Sequence, residues 1–354
     1  MRLLPCGPRA VLVEFDDVDA VMDASTLGKI DIQGPDAAEF LDRIYTNVFS
    51  SLKVGSSRYG FMCGVDGMVF DDGVTTRLSE NRFLMTTTTS GAAKVMDWME
   101  EWLYTEWPNM KVYCTSVTEH ISTVAVVGPK SRNVIAALCP DLDVSNEAFG
   151  FMENRYADVA GVPARIARIS FSGELAYEIN VPADYGLEVW KAVWQAGQAH
   201  GICPYGTETM HVLRAEKGYI IVGQDTDGSM SPIDLAMGWA VGMKKPFSFL
   251  GKRSLLRSHT AGEGRKQLVG LLPLDPKVVL AEGAQILSNT DDTVPAAMQG
   301  HVTSSYHSAF LGRSIAMAVL KDGSKREGDT VFVWAHGKSV PAQVVSSVFV
   351  DKEG

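Results

Sequence analysis

The alternation of apolar and polar positions gives the same short pattern twice. Ile30-Asp31-Ile32-Gln33 runs into Gly34-Pro35 and then DAAEFLDRI. Val124-Ala125-Val126-Val127 runs into Gly128-Pro129 and then KSRNVIAAL. Each copy predicts a strand, a Gly-Pro break and an amphipathic helix, with the proline at the helix start, where its missing N–H costs nothing. Ala37, Phe40, Leu41 and Ile44 share one helix face, as do Val134, Ile135 and Leu138. Neither break carries the glycines of a dinucleotide-binding turn or a P-loop, so both copies read as structural.

Between them, residues 58–89 alternate as a β-meander, with a type I′ hairpin expected at Asp66-Gly67 and a second turn at Ser79-Glu80-Asn81. A helix follows, turning Val95, Met99, Trp102 and Leu103 inwards. Residues 165–181 predict another hairpin, turning at Ser172-Gly173. The next helix places Leu187, Trp190, Val193 and Trp194 on one face and is capped by Gly201. GTETMHVLRAEKGY is helical as well. Beyond about residue 255 short β-rich segments take over, which predicts a small all-β C-terminal domain reached through the linker SHTAGEGRK.

Composition narrows the classes. A chain of 354 residues, 46% hydrophobic and 21% charged, is that of a globular protein of roughly two or three domains. The net charge of -10 argues against nucleic acid as the main partner. No uncharged apolar run approaches the roughly 20 residues of a membrane helix. The opening MRLLPCGPRAVLVEF lacks the apolar core and cleavage site of a signal peptide. Five scattered cysteines without a CxxC, and dispersed histidines, disfavour a disulfide framework and a metal centre and point to a reducing cytoplasm.

Three groups of residues can carry chemistry. Asp71 and Asp72 are adjacent on a strand, so only one faces a given pocket. They form either a solvated turn or a part-buried carboxylate able to hold a cation or take up a proton. Glu174 at the hairpin turn and Glu178 four residues on are either turn and strand-face carboxylates, or a carboxylate gripping an amide edge through two parallel hydrogen bonds. Arg214, with Glu216 and Lys217, either decorates a helix end or is buried with a partner. Lys244, Lys245, Lys252, Arg253 and Arg313 are single surface charges or, together, a receiver for an anionic tail such as a polyglutamate.

Five collinear segments resemble the folate-dependent aminomethyltransferase family, that of the glycine cleavage T-protein. They are DASTLGKIDIQGPDAAEFLDRIYTN, RYGFMCGVDGMVFDDGVTTRL, ISFSGELAYEINVP, TMHVLRAEKGYIIVGQDTDGSMSPIDLAMGWAV and GHVTSSYHSAFLGRSIAMAVL. The wording is most similar to the C-terminal folate half of the sarcosine oxidase alpha subunit, without that subunit's dinucleotide-binding part. Residues 1–22 depart from the family and resemble the opening of a 5-oxoprolinase or allophanate hydrolase small subunit.

The resemblance implies a three-lobed α+β fold: a folate-binding domain of two interleaved lobes over 23–255 and a β-barrel over 256–354. It implies tetrahydrofolate in a central hole, Asp72 as the catalytic carboxylate, Glu174 on the pterin, Tyr59 beside the folate ring and Arg214 as a further binding residue. The implied activity is transfer of a methylene unit from an oxidised N-methyl amine to give 5,10-methylenetetrahydrofolate, the imine coming from a flavin-containing oxidase subunit. The alternatives are glycine cleavage aminomethyl transfer from a lipoyl carrier protein, folate-dependent demethylation, and folate binding without turnover.

Overall fold

The computed structural model describes residues 19–290 and 296–352; most of the atypical N-terminal segment lies outside them. The repeated sequence pattern is a repeated unit. Strand Gly28–Gln33 leads to helix Ala37–Ile44, and strand Ile121–Val127 to helix Ser131–Leu138. In both copies the helix begins three residues after the glycine, so Pro35 and Pro129 sit in the turn ahead of it and not at its first position. The glycines set this spacing. Gly34 (φ +137) and Gly128 (φ +123) hold a conformation closed to other residues, and a Cβ on Gly34 would lie 2.0 Å from the Lys111 carbonyl oxygen.

Each unit's strand lies inside its own sheet, with a neighbour on both sides. The five-stranded sheet runs Ser57–Cys63, Val69–Ser79, Arg82–Thr87, Gly28–Gln33, Tyr113–Ser116. The six-stranded sheet runs Cys203–Pro204, Ala20–Asp23, Ile121–Val127, Ala176–Pro182, Val162–Ala167, Asn154–Val159. Helices cover one face of each. Ile30, Ile32, Phe83 and Met85 pack with Phe40, Leu41, Val95, Met99 and Leu103. Val124, Val126, Tyr177 and Ile179 pack with Val134, Ile135, Val189 and Val193.

Two local expectations change. The first hairpin is a longer loop than Asp66-Gly67 implies: Gly64 and Met68 close it, and only Gly67 (φ +86) has positive φ, whereas a type I′ turn needs two such residues. Helix Gly186–Gly197 is rotated from its expected face, leaving Leu187 63% and Trp194 37% exposed. The reason is its glycines. Gly186, Val189, Val193 and Gly197 form one stripe, and Cβ atoms at its two ends would lie 2.4 Å from Ser122 and 2.5 Å from Ile202. The face that permits the closest approach goes inwards.

The third unit is a closed six-stranded barrel, ordered Lys266–Pro273, Arg313–Lys321, Gly300–Ser308, Gln285–Leu287, Thr330–Ala335, Lys338–Val345. Its outer side, with Leu268, Ile315 and Met317, shares a core with Phe61, Ala215, Ile220 and Met230. A buried charge pair fastens this junction. Arg214, 0% exposed on helix Thr207–Glu216, pairs through Nη1 with Asp225 and donates to the Tyr219 carbonyl (3.0 Å) and to Ser304 Oγ (2.7 Å). Asp225 accepts from Thr303 (2.6 Å), Ser304 (2.8 Å) and the Ile221 amide (2.9 Å).

Removing one partner leaves the other charge buried and uncompensated. Asp225→Ala should therefore cost about 3–5 kcal/mol in urea unfolding, and Arg214→Met with Asp225→Leu should cost much less. Equal losses in the two proteins would refute the pairing as the fastener.

Candidate functional site

With their helix-backed faces spent on cores, the two sheets turn their polar faces towards each other. The seam is made by hydrogen bonds: Ser57 N to the Met152 carbonyl (2.7 Å), Asn154 N to the Gly55 carbonyl (2.8 Å), and Asn154 Nδ2 to Ser57 Oγ (2.7 Å).

On the five-stranded sheet, Phe61 pairs with Asp72 and Tyr59 with Val74, so Tyr59 and Asp72 are diagonal neighbours on the inner face. The Tyr59 hydroxyl donates to Asp72 Oδ2 at 2.6 Å. Asp71 points the other way, accepting from the Thr88 hydroxyl (3.0 Å) and amide (3.2 Å) and from the Asp72 amide (2.7 Å). The alternation that separates the two carboxylates thus makes Asp71 a buried turn anchor and leaves Asp72 half-buried on the inner face. Burial pushes the Asp72 carboxyl up to about 7; the Tyr59 hydrogen bond pulls it down and the Asp71 carboxylate pushes it up further. Such a group exchanges a proton near neutrality and, when ionised, opposes a cation. The Tyr59 ring meets Phe61 edge-on at 5.2 Å and lies 6.1 Å from Trp239, which is 68% exposed and offers an open aromatic face that sequence reasoning did not single out.

On the six-stranded sheet, Glu178 and Arg165 share the inner face. Asn180 pairs with Arg165 and Glu178 with Ala167, so the two charged residues are diagonal neighbours. Both are half-buried. Burial raises the Glu178 carboxyl, with Arg165 and Lys29 opposing the rise. Lys29 reaches this space from the other sheet. It is 1% exposed and donates to the carbonyls of Ser25 (2.9 Å) and Leu27 (3.0 Å). Burial lowers its pKa and Glu178 counters that most strongly.

Glu174 and Arg214 lie elsewhere. Glu174 is half-buried in the loop between Val162–Ala167 and Ala176–Pro182, which docks on the end of helix Thr207–Glu216. There Phe171 stacks on Tyr219 at 6.2 Å, Gly173 abuts the Lys217 side chain, and the charge of Glu174 helps to raise the buried Glu216. Arg214 is wholly enclosed in the barrel junction, so the expectation that it contacts a ligand gives way to a structural role: its guanidinium has no surface to offer. Lys245, grouped above as a surface charge, is buried and bonded to the carbonyls of Tyr45 and Asn47.

The sequence matches the GCVT N-terminal domain over residues 16–245 and the glycine cleavage T-protein C-terminal barrel domain over residues 266–351. The chain belongs to the glycine cleavage T-protein family. Among relatives in this family, the sarcosine oxidase subunit alpha of Corynebacterium sp. (strain P-1) is 57% identical over 94% of this chain and 35% of that protein. The chain thus spans about a third of that relative's length. The aminomethyltransferase of Bacillus subtilis (strain 168) is 31% identical over 93% of this chain and 87% of that protein. The structure of the glycine cleavage system aminomethyltransferase T of Bartonella henselae aligns with a TM-score of 0.82 and 25% identity, covering 95% of this chain and 88% of that one. The T-protein family fold is therefore that of the two facing sheets and the barrel. Among the described residues no helix is long and apolar enough to cross a membrane.

The raised Asp72 carboxyl has a stability consequence. A carboxyl whose folded pKa exceeds its unfolded value of 3.8 favours the fold when protonated, and that contribution is lost as pH rises towards about 7. Asp72→Asn should therefore be more stable than wild type above pH 7 in thermal melts, with the advantage closing below about pH 4. Tyr59→Phe should raise the Asp72 pKa further, read by the carboxyl infrared band across a pH titration. An unmoved titration would exclude the hydrogen bond as the group that restrains the rise.

Proposed function

We propose that this chain transfers a one-carbon unit to tetrahydrofolate, accepting methylene from an oxidised N-methyl amine of the sarcosine type to give 5,10-methylenetetrahydrofolate. The observation that carries the reading is Asp72, a half-buried carboxyl held by Tyr59 and poised near neutrality by burial. Its kinship to sarcosine oxidase alpha subunits supports the choice of donor. A flavin-containing oxidase subunit is the partner that would supply the imine.

The inner faces fit a folate. Glu178 is a half-buried carboxylate on the inner face, beside two cations, and suits a donor-rich amide edge. Tyr59 and Trp239 offer aromatic surface next to Asp72. Tetrahydrofolate, when bound, supplies the nucleophilic nitrogen. Asp72, ionised, opposes the positive charge of an iminium carbon and accepts the proton released, in surroundings poor enough in water to strengthen both effects. Of the two glutamates flanking the hairpin, Glu178 faces this space, while Glu174 sits by Glu216; the pterin-holding role is therefore assigned to Glu178.

A second reading, aminomethyl transfer from a lipoyl carrier protein, is favoured by coverage: the B. subtilis aminomethyltransferase matches along 87% of its own length. Ammonia release from an aminomethyl-loaded carrier would identify it.

Asp72→Asn should bind tetrahydrofolate normally but form 5,10-methylenetetrahydrofolate about 10²–10⁴-fold more slowly, the range for a lost general base. Glu178→Gln should weaken folate binding about tenfold or more, the weight of a charge-assisted hydrogen bond, and Glu174→Ala should weaken it less. Unchanged turnover in the first variant would remove Asp72 from the chemistry. The reverse order in the other two would return the pterin to Glu174.

A further inference from the structure

Arg165 and Glu178 present opposite charges side by side on the inner face, with Arg165 also bonded to the seam through Asn154. They are diagonal neighbours on the inner face, so their charges act on each other, yet among the described residues no ion pair or side-chain hydrogen bond joins them. The guanidinium is nevertheless fixed in direction. Nη1 donates to Asn154 Oδ1 at 2.7 Å, Asn154 Nδ2 donates to Ser57 Oγ at 2.7 Å, and Ser57 Oγ meets Thr76 Oγ1 at 2.8 Å. This chain runs from one sheet to the other and holds the flat donor fork, whose remaining N–H groups meet no other side chain among the described residues. Lys29 supplies a second, immovable positive charge to the same space.

A buried acceptor beside a buried donor fork, held apart, complements a ligand that carries donors at one position and an acceptor at the next. A 2-amino-4-oxo ring has this edge: the 2-amino group and the ring N–H donate, and the neighbouring carbonyl oxygen accepts. We propose that Arg165 receives the ring carbonyl beside the edge held by Glu178 and so makes the site selective for 4-oxo over 4-amino pteridines. The assignment rests on the folate reading above and adds the specificity of that site. A 4-amino ring would turn a donor towards the donors of Arg165 and, lacking the ring N–H, would give Glu178 one donor fewer; a site with polar groups left unpaired rejects such a ligand.

The test compares folic acid with its 4-amino analogue by isothermal titration calorimetry, without turnover. Wild type should prefer folic acid by about tenfold or more. Arg165→Met should lose affinity for folic acid but not for the 4-amino compound, compressing the ratio by about threefold or more; the preference that remains belongs to the ring N–H on Glu178. Arg165→Lys, which keeps the charge but not the fork, should also compress the ratio and serves if the methionine variant fails to fold. A wild-type preference kept intact in the lysine variant, or equal losses for both compounds, would overturn the assignment. Wild-type protein that binds neither compound overturns the folate reading and this assignment with it, whereas binding of both without preference overturns Arg165 alone.

Discussion

The architecture depends on holding ionisable side chains inside the protein, where other groups must stand in for water. Lys29, Asp72, Arg165 and Glu178 all stand on the inner faces of the two sheets, and stripping such groups of water costs several kcal/mol each unless charge or hydrogen bonds replace it. These faces cannot close on each other as an oily sandwich does. Most apolar burial goes to the outer faces, where four helices supply it, with smaller clusters around Phe61 and around Ala125, Val127 and Ala176 on the inner ones, and the sheets meet through a hydrogen-bonded seam at residues 55–57 and 152–154. The interior left between them is polar by construction, and its groups have pKa values displaced by burial and restrained by neighbours of opposite charge.

The barrel belongs to the same economy. Among the described residues it adds no charged group to Tyr59 and Asp72, but its outer side completes the core beneath Phe61, the residue directly across from Asp72. Arg214 and Asp225 fix the segment that leads away from helix Thr207–Glu216 against the barrel strand carrying Thr303 and Ser304.

What the sequence discloses and what it hides divide along the same line. The duplicated unit, the meander and the barrel are legible because they depend on local periodicity and on turn residues. Asp72 and Tyr59 are legible through resemblance, and their opposite-face logic through alternation. Arg214 was read as a ligand contact because its partners, Asp225, Ser304 and the Tyr219 carbonyl, are brought to it by the chain's return and leave no local trace. The surroundings of Glu178 need the second sheet: alternation shows that Glu178 shares a face with Asn180, but not that Lys29 waits opposite. The rotated helix Gly186–Gly197 shows the reverse case, in which counting large apolar residues points away from the buried side because glycine contacts decide it.

The repeated strand–turn–helix unit places most of its folding information on one side: the break glycine, the helix and the apolar strand positions. The other side of the same strands carries fewer of these contacts, among them Lys29 in one copy and Ala125 and Val127 in the other. In an ancestral tandem copy, mutations there would have been tolerated in either half while both halves continued to fold. The strands added beside each unit could then differ on that face, one pair holding Tyr59 and Asp72 and the other Arg165 and Glu178, unlike tools mounted on like handles.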